Sequence, residues 1–139
     1  MTEFDAEDWL EVAEICCERV EGVSQEALLR TALNRAYYGA LLCIKRRIER
    51  VHGRGSVSGF RTHAAILGAV QSGGGRFLEI LKVLRALRAR REAADYELRT
   101  EPLAWSTVHK QVGRSRALIR QRIKALPDAE FRRLVISKT

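Results

Sequence analysis

A chain of 139 residues has the length of one domain and can bury a core without disulfides or metals. With 46% hydrophobic and 30% charged residues it is too apolar for a disordered chain. No apolar run approaches the roughly 20 residues that span a bilayer, and the acidic opening MTEFDAEDWLEV lacks the apolar stretch of a signal peptide.

The net charge of +8 is unevenly placed. Residues 1–70 hold 9 basic and 10 acidic residues, and the remainder holds 16 basic and 7 acidic. Residues 1–26 carry nine acids and a single base, Arg19. The pattern predicts an acidic first helix on a basic body. Arg outnumbers Lys 20 to 5, and its planar fork grips phosphate in a bidentate way. A polyanion-binding face, most simply for nucleic acid, is one reading. Coding bias with solvated helix faces is the other.

The first helix is predicted over about Phe4 to Val20, with Leu10, Ala13, Val20 and Ile15 or Cys17 as an untidy apolar stripe ended at Gly22. Adjacent Cys16 and Cys17 are not expected to face the core together. With Cys43 they show no CxxC or Cys/His spacing, so no metal site is expected, and a reducing, cytoplasmic setting follows. Ser24 is the expected N-cap of a second helix running to about His52, with Leu29, Leu33, Ala36, Ala40, Cys43 or Ile44, Arg47 and Val51 at helical spacing. A glycine-rich loop (53–60) precedes a short helix from Thr62 to Gln71, and Gly73-Gly74-Gly75 makes a second break. The next helix is predicted over about Arg76 to Leu98. Its stripe Ile80, Leu84, Leu87, Arg91, Ala94, Leu98 puts an arginine where an apolar residue is expected, with Asp95 one turn on. The last long helix is predicted over about Ala104 to Leu126, burying Trp105, Val108, Val112, Ile119, Ile123 and Leu126. Arg116, Arg120 and Lys124 form an i,i+4 ladder on another face, with Lys110 and Arg114 as a second basic row. A solvated face is the ordinary reading of the ladder, and phosphate contacts are the functional one. Residues 127–139 are expected as a short tail outside a core of about 8–126. The whole is predicted to be one all-α domain of mostly antiparallel helices.

Three segments, LNRAYYGALL (33–42), THAAIL (62–67) and LRALRARREAADYEL (84–98), in that order, resemble the HEPN superfamily of small helical bundles, specifically the branch with an RAYY helix and an R-x4-Y ending in ADY. The resemblance covers about residues 8–126. It implies an antiparallel bundle of four to five helices that forms a homodimer and needs no cofactor or metal, and the lack of a long apolar run adds the expectation of no membrane partner. Two activities are open. One is a metal-independent endoribonuclease of a toxin–antitoxin or antiviral defence type. The other is a non-catalytic binding module that partners a nucleotidyltransferase-type antitoxin or another defence protein.

The nuclease members carry an R-x4-6-H motif. By position its Arg is Arg91, and its His position falls at Tyr96. A tyrosine with an ordinary pKa of about 10 is a poor base at neutral pH, whereas histidine can move protons in both directions there. Arg91, Tyr96 and Asp95 are therefore the catalytic candidates, with His63 as a helper or, alternatively, a capping or core-edge residue. Arg35, Tyr38, Arg88, Arg116, Arg120 and Lys124 are the RNA-binding candidates. Of Tyr37 and Tyr38, one is expected to pack inward with its hydroxyl on Asp95 or Arg35, or else to offer a stacking platform for a base. The literal R-x4-H of Arg47 and His52 lies on the wrong helix and is read as coincidence.

Overall fold

The computed structural model describes residues 5–18, 21–57, 62–96 and 103–136, apart from the side chains of Ala6, Asp95 and Tyr96. It is an all-α bundle, with six helices and no strand among the described residues. These are α1 (Ala6–Cys16), α2 (Gln25–His52), α3 (Thr62–Ser72), α4 (Leu78–Tyr96), α5 (Trp105–Ala117) and α6 (Asp128–Arg132). A 3-10 turn, Gly74–Phe77, leads straight into α4, and a π-helical stretch, Leu118–Ile123, prolongs α5. None of these helices is long and apolar enough to cross a membrane.

Helix ends follow local chemistry. Asp5 accepts from the Glu7 N–H, while Asp8 reaches back to the Asp5 N–H, a reciprocal cap that opens α1. The Ser24 hydroxyl accepts from the Ala27 N–H at 3.3 Å and opens α2, as expected. Gly53 ends it with a positive φ of 104°.

The 28-residue α2 is the axle of the bundle. It touches α1, α3, α4, α5 and α6. A helix surrounded in this way is buried on most of its circumference. Beyond the expected stripe, Ala32, Tyr37, Leu41 and Ile48 are also buried. Two of its arginines reach the C-terminal carbonyls of neighbouring helices, which lack partners within their own helix. Arg30 donates to the Ala94 carbonyl near the end of α4. Arg47 donates to the Ile123 and Leu126 carbonyls at 2.7 and 2.5 Å and pairs with Asp128 at 3.1 Å. A cation at a helix C-terminus is also favoured by the helix dipole. At the opposite pole, the Glu26 carboxylate accepts from the Leu103 N–H just before α5.

Three sequence expectations change. Cys16 and Cys17 are both buried, because Leu10, Ala13, Cys16 and Cys17 fall at i, i+3, i+6 and i+7 on one broad face. Trp105, placed in a buried stripe, is 51% exposed, and of the alternatives Ile15 and Cys17 it is Cys17 that joins the α1 stripe. The Trp105 indole N–H donates to the Cys17 carbonyl at 2.7 Å, and its ring stacks on His109, so it lies over the surface rather than in the core. Residues 127–136 supply Phe131 and Leu134 to the core. The Phe131 ring meets Phe77 edge-on at 5.3 Å and lies under the Arg47 guanidinium. Arg47 and His52, whose R-x4-H spacing is read as coincidence, both hold this segment, and His52 Nε2 donates to the Phe131 carbonyl at 2.8 Å.

Two glycines give opposite expectations. A Cβ on Gly73 would overlap the Phe77 and Leu134 side chains, whereas one on Gly113, within α5, would meet open space. Gly113→Ala should therefore gain the helix propensity difference of about 0.5–1 kcal/mol. Thermal melting should show a rise of a few degrees, about 2–5 °C. An unchanged or lower midpoint would show that Gly113 fills a packing role.

Candidate active site

The RAYY segment places Tyr37 and Tyr38 on adjacent faces of α2. Tyr37 is fully buried, and Tyr38 sits at the edge of the core. α3 brings His63 to both. Tyr37 Oη and His63 Nδ1 are hydrogen-bonded at 3.2 Å, and the imidazole meets the Tyr38 ring edge-on at 5.3 Å. The Tyr37 hydroxyl thus goes to His63, while Arg35 lies against Trp9 and the Asp95 side chain is outside the described residues.

Arg91 arrives from α4. Its place in an apolar stripe has a direct consequence: it is 9% exposed, with its guanidinium 5.5 Å from the Tyr37 ring and 5.4 Å from the Tyr38 ring. A flat cation over two aromatic faces is an arrangement in which a charge tolerates burial. Arg91 Nη1 also donates to Tyr38 Oη at 3.4 Å. One turn back on α4, Arg88 pairs with Glu92 at 2.9 Å.

Outside this cluster lies a cleft of about 180 Å³. Tyr38, Leu41, Leu42 and Lys45 line it from α2, at i, i+3, i+4 and i+7, and Thr62, His63 and Ile66 line it from α3. The lining combines an apolar floor with an imidazole, a phenol and an ammonium, the usual make-up of a small ligand site.

Electrostatics sets the protonation states. Burial, reinforced by Arg91 and then Arg88, pulls His63 below its ordinary 6.5, with Glu92 opposing. The imidazole is therefore neutral at pH 7. Burial pushes Tyr37 above its ordinary 10.0 against the pull of the same arginines, so it remains a phenol. A phenol both donates and accepts. It can hold either imidazole tautomer through Nδ1, which leaves Nε2 as the atom for proton exchange. The three thiols are poor nucleophiles by the same logic. Burial raises Cys16 and Cys17, and raises Cys43 to about 11.

The remaining expected residues are distributed as follows. Arg35 stacks on the Trp9 indole at 3.9 Å, between α1 and α2. Asp95 and Tyr96 close α4, and their side chains lie outside the described residues. The Arg116, Arg120 and Lys124 ladder faces α1: Arg116 pairs with Glu14 at 2.8 Å, and Arg120 and Lys124 pair with Glu7 at 3.4 and 3.1 Å. The acidic first helix covers this part of the basic body. Sequence reading did not single out Lys45 or Thr62, nor assign Tyr37 to His63. Lys45 was within reach, since it repeats the Tyr38 face two turns on. Comparison with protein-family models, curated proteins and solved structures gives no match.

Proposed function

We propose that this chain is a HEPN-like, RNA-associated protein that cleaves the RNA backbone without a metal, with His63 as its proton-transfer residue. The observation that carries this reading is the His63 imidazole, bonded at Nδ1 to Tyr37 and lining a cleft, with burial and the charges of Arg91 and Arg88 lowering its pKa. RNA cleavage by internal attack needs a base at the 2′-hydroxyl and positive charge near the developing phosphorane. In this reading His63 Nε2 takes the 2′-hydroxyl proton. The 2′-oxygen bonds to phosphorus, and the bond from phosphorus to the 5′-oxygen breaks. The imidazolium or solvent returns a proton to the leaving oxygen. The products are a 2′,3′-cyclic phosphate and a 5′-hydroxyl. Arg88 and Arg91 supply the positive field. His63 thus fills the proton-transfer role that the sequence pattern left to Tyr96.

A second reading, a non-catalytic assembly module, draws on one observation. Arg91 is nearly enclosed by Tyr37 and Tyr38, as a polar lock on the bundle would be. The two readings separate in one experiment. Purified protein is incubated with a mixed RNA pool in EDTA beside Arg91→Met, which keeps the apolar stem, and melting of both is recorded. Cleavage with cyclic-phosphate ends, lost in a variant that still folds, is the expected result. A folded wild type that leaves RNA intact overturns the nuclease reading and favours the assembly module.

A further inference from the structure

We infer that a second surface, the groove between α4 and α5, binds the phosphate backbone of single-stranded RNA. The structure divides the basic residues of α5 and the stretch that prolongs it into two sets of different character. The Arg116, Arg120 and Lys124 set is paired with Glu7 and Glu14 of α1. Arg114 and Arg122 instead face α4, where a cleft of about 200 Å³ is lined by Val83, Ala117, Leu118 and Gln121 between them. Neither arginine has a carboxylate partner among the described residues, and the same holds for Lys110. The cleft holds one acid, Glu79, and Lys82 lies 3.7 Å from it.

Helical register extends the surface. Lys110, Arg114, Ala117 and Gln121 fall at i, i+4, i+7 and i+11 on one face of α5 and its π-helical continuation. Glu79, Val83, Ala86 and Arg90 fall at the same spacing on α4. The start of α4 lies opposite the end of α5, so Arg90 lies toward the Lys110 end. Four cations without carboxylate partners among the described residues, Lys110, Arg114, Arg122 and Arg90, thus flank a floor of small residues, Val83, Ala86 and Ala117. From Lys110 to Ala117 the row runs for about 10 Å at 1.5 Å per residue, and the π-helical stretch carries it on to Arg122. Arginine forks without partners on an exposed, low-relief track suit phosphate better than a folded partner, which would need an apolar centre to its interface. The groove lies on a different face of α4 from Arg88 and Arg91.

This inference rests on the RNA reading above but not on the chemistry at His63. The test measures binding of a 20-nucleotide single-stranded 2′-O-methyl RNA, which lacks the attacking hydroxyl, across a range of KCl. Wild type is compared with Arg114→Glu/Arg122→Glu and with Arg132→Glu/Arg133→Glu, which makes the same charge change at the end of α6. About four phosphate contacts give a log–log salt slope near −3, and losing two lowers its magnitude by about 1.4. The groove variant is expected to bind at least tenfold more weakly with that shallower slope, and the α6 variant to stay close to wild type. Equal losses in both variants would assign the effect to net charge and overturn the groove. So would unchanged binding in the groove variant, or binding of polyglutamate as tightly as RNA. Cleavage that persists with an unaffected groove variant would overturn the groove alone, and groove-dependent binding without cleavage would overturn the nuclease reading alone.

Discussion

Replacing His63 with alanine should lower metal-free RNA cleavage by about 10²–10⁴-fold, the usual contribution of a positioned general acid–base group. His63 is only partly enclosed, so the variant should fold, and circular dichroism can verify that. The pH profile carries the sharper information. A base must be neutral to act, and burial with Arg91 and Arg88 depresses the imidazole below 6.5. Cleavage should therefore fall to half its plateau only at a pH below the 6.5 of an ordinary imidazole. Arg88→Gln removes one of those cations, and its acidic limb should move toward higher pH. Stability follows the same ionisation. The unfolded chain binds this proton at about pH 6.5 and the folded chain only lower down. The contribution from neutral His63 is thus complete above 6.5 and is lost as pH falls through the folded value. Urea midpoints of wild type should drop over that window, and those of His63→Gln should drop less. Retention of more than a tenth of wild-type cleavage in His63→Ala would falsify the assignment of His63 as the proton-transfer residue.

Phe131→Ala should cost about 3–5 kcal/mol, a large share of the stability of a small domain. Phe131 is fully buried against Phe77, and Arg47 covers its other side. Truncation leaves a cavity at the place where α6 locks onto α2, and it loosens the segment that carries Asp128, the carboxylate partner of Arg47. Losing a partner of a largely enclosed charge adds to the cost. The urea midpoint reads the effect, and Phe131→Leu, which keeps most of the volume, should recover the larger part of it. A loss under 1 kcal/mol in the alanine variant would mean that residues 127–136 do not hold the bundle together.

Much of this architecture could be read from the sequence. Ser24 and Gly53 bound α2 where their chemistry says they should, since cap and stop signals act within a few residues of chain. The α4 stripe was also legible, and its discordant member, Arg91, stands out because an arginine at a core position must be accommodated by something. Sequence periodicity says that a side chain faces inward, but not which neighbour receives it. That is why the Tyr37–His63 bond stayed hidden, and why Phe131 was read as tail. The two basic rows of α5 look equivalent in the sequence. They become different only when α1 lies across one of them, a long-range event that no local pattern encodes. Trp105 misled for a related reason: its ring is apolar enough to suit a core, while its indole N–H is satisfied by a carbonyl at the surface.

The central position of α2 has a consequence for how the chain can be divided. At about 1.5 Å per residue the helix is about 42 Å long, longer than the roughly 28 Å that twice the radius of gyration gives for a chain of this length. Every other helix leans on it, so cutting between α2 and α3 produces two pieces of unequal character. The N-terminal piece keeps the axle with most of its apolar circumference bare to water. The C-terminal piece keeps four helices with nothing to wind around. Neither half is a smaller version of the domain, yet each supplies the surface that the other lacks. Mixed together, they are suited to reassemble as a split protein, with the amides of α2 passing from freely exchanging to the slowest in the molecule only when its partner fragment arrives.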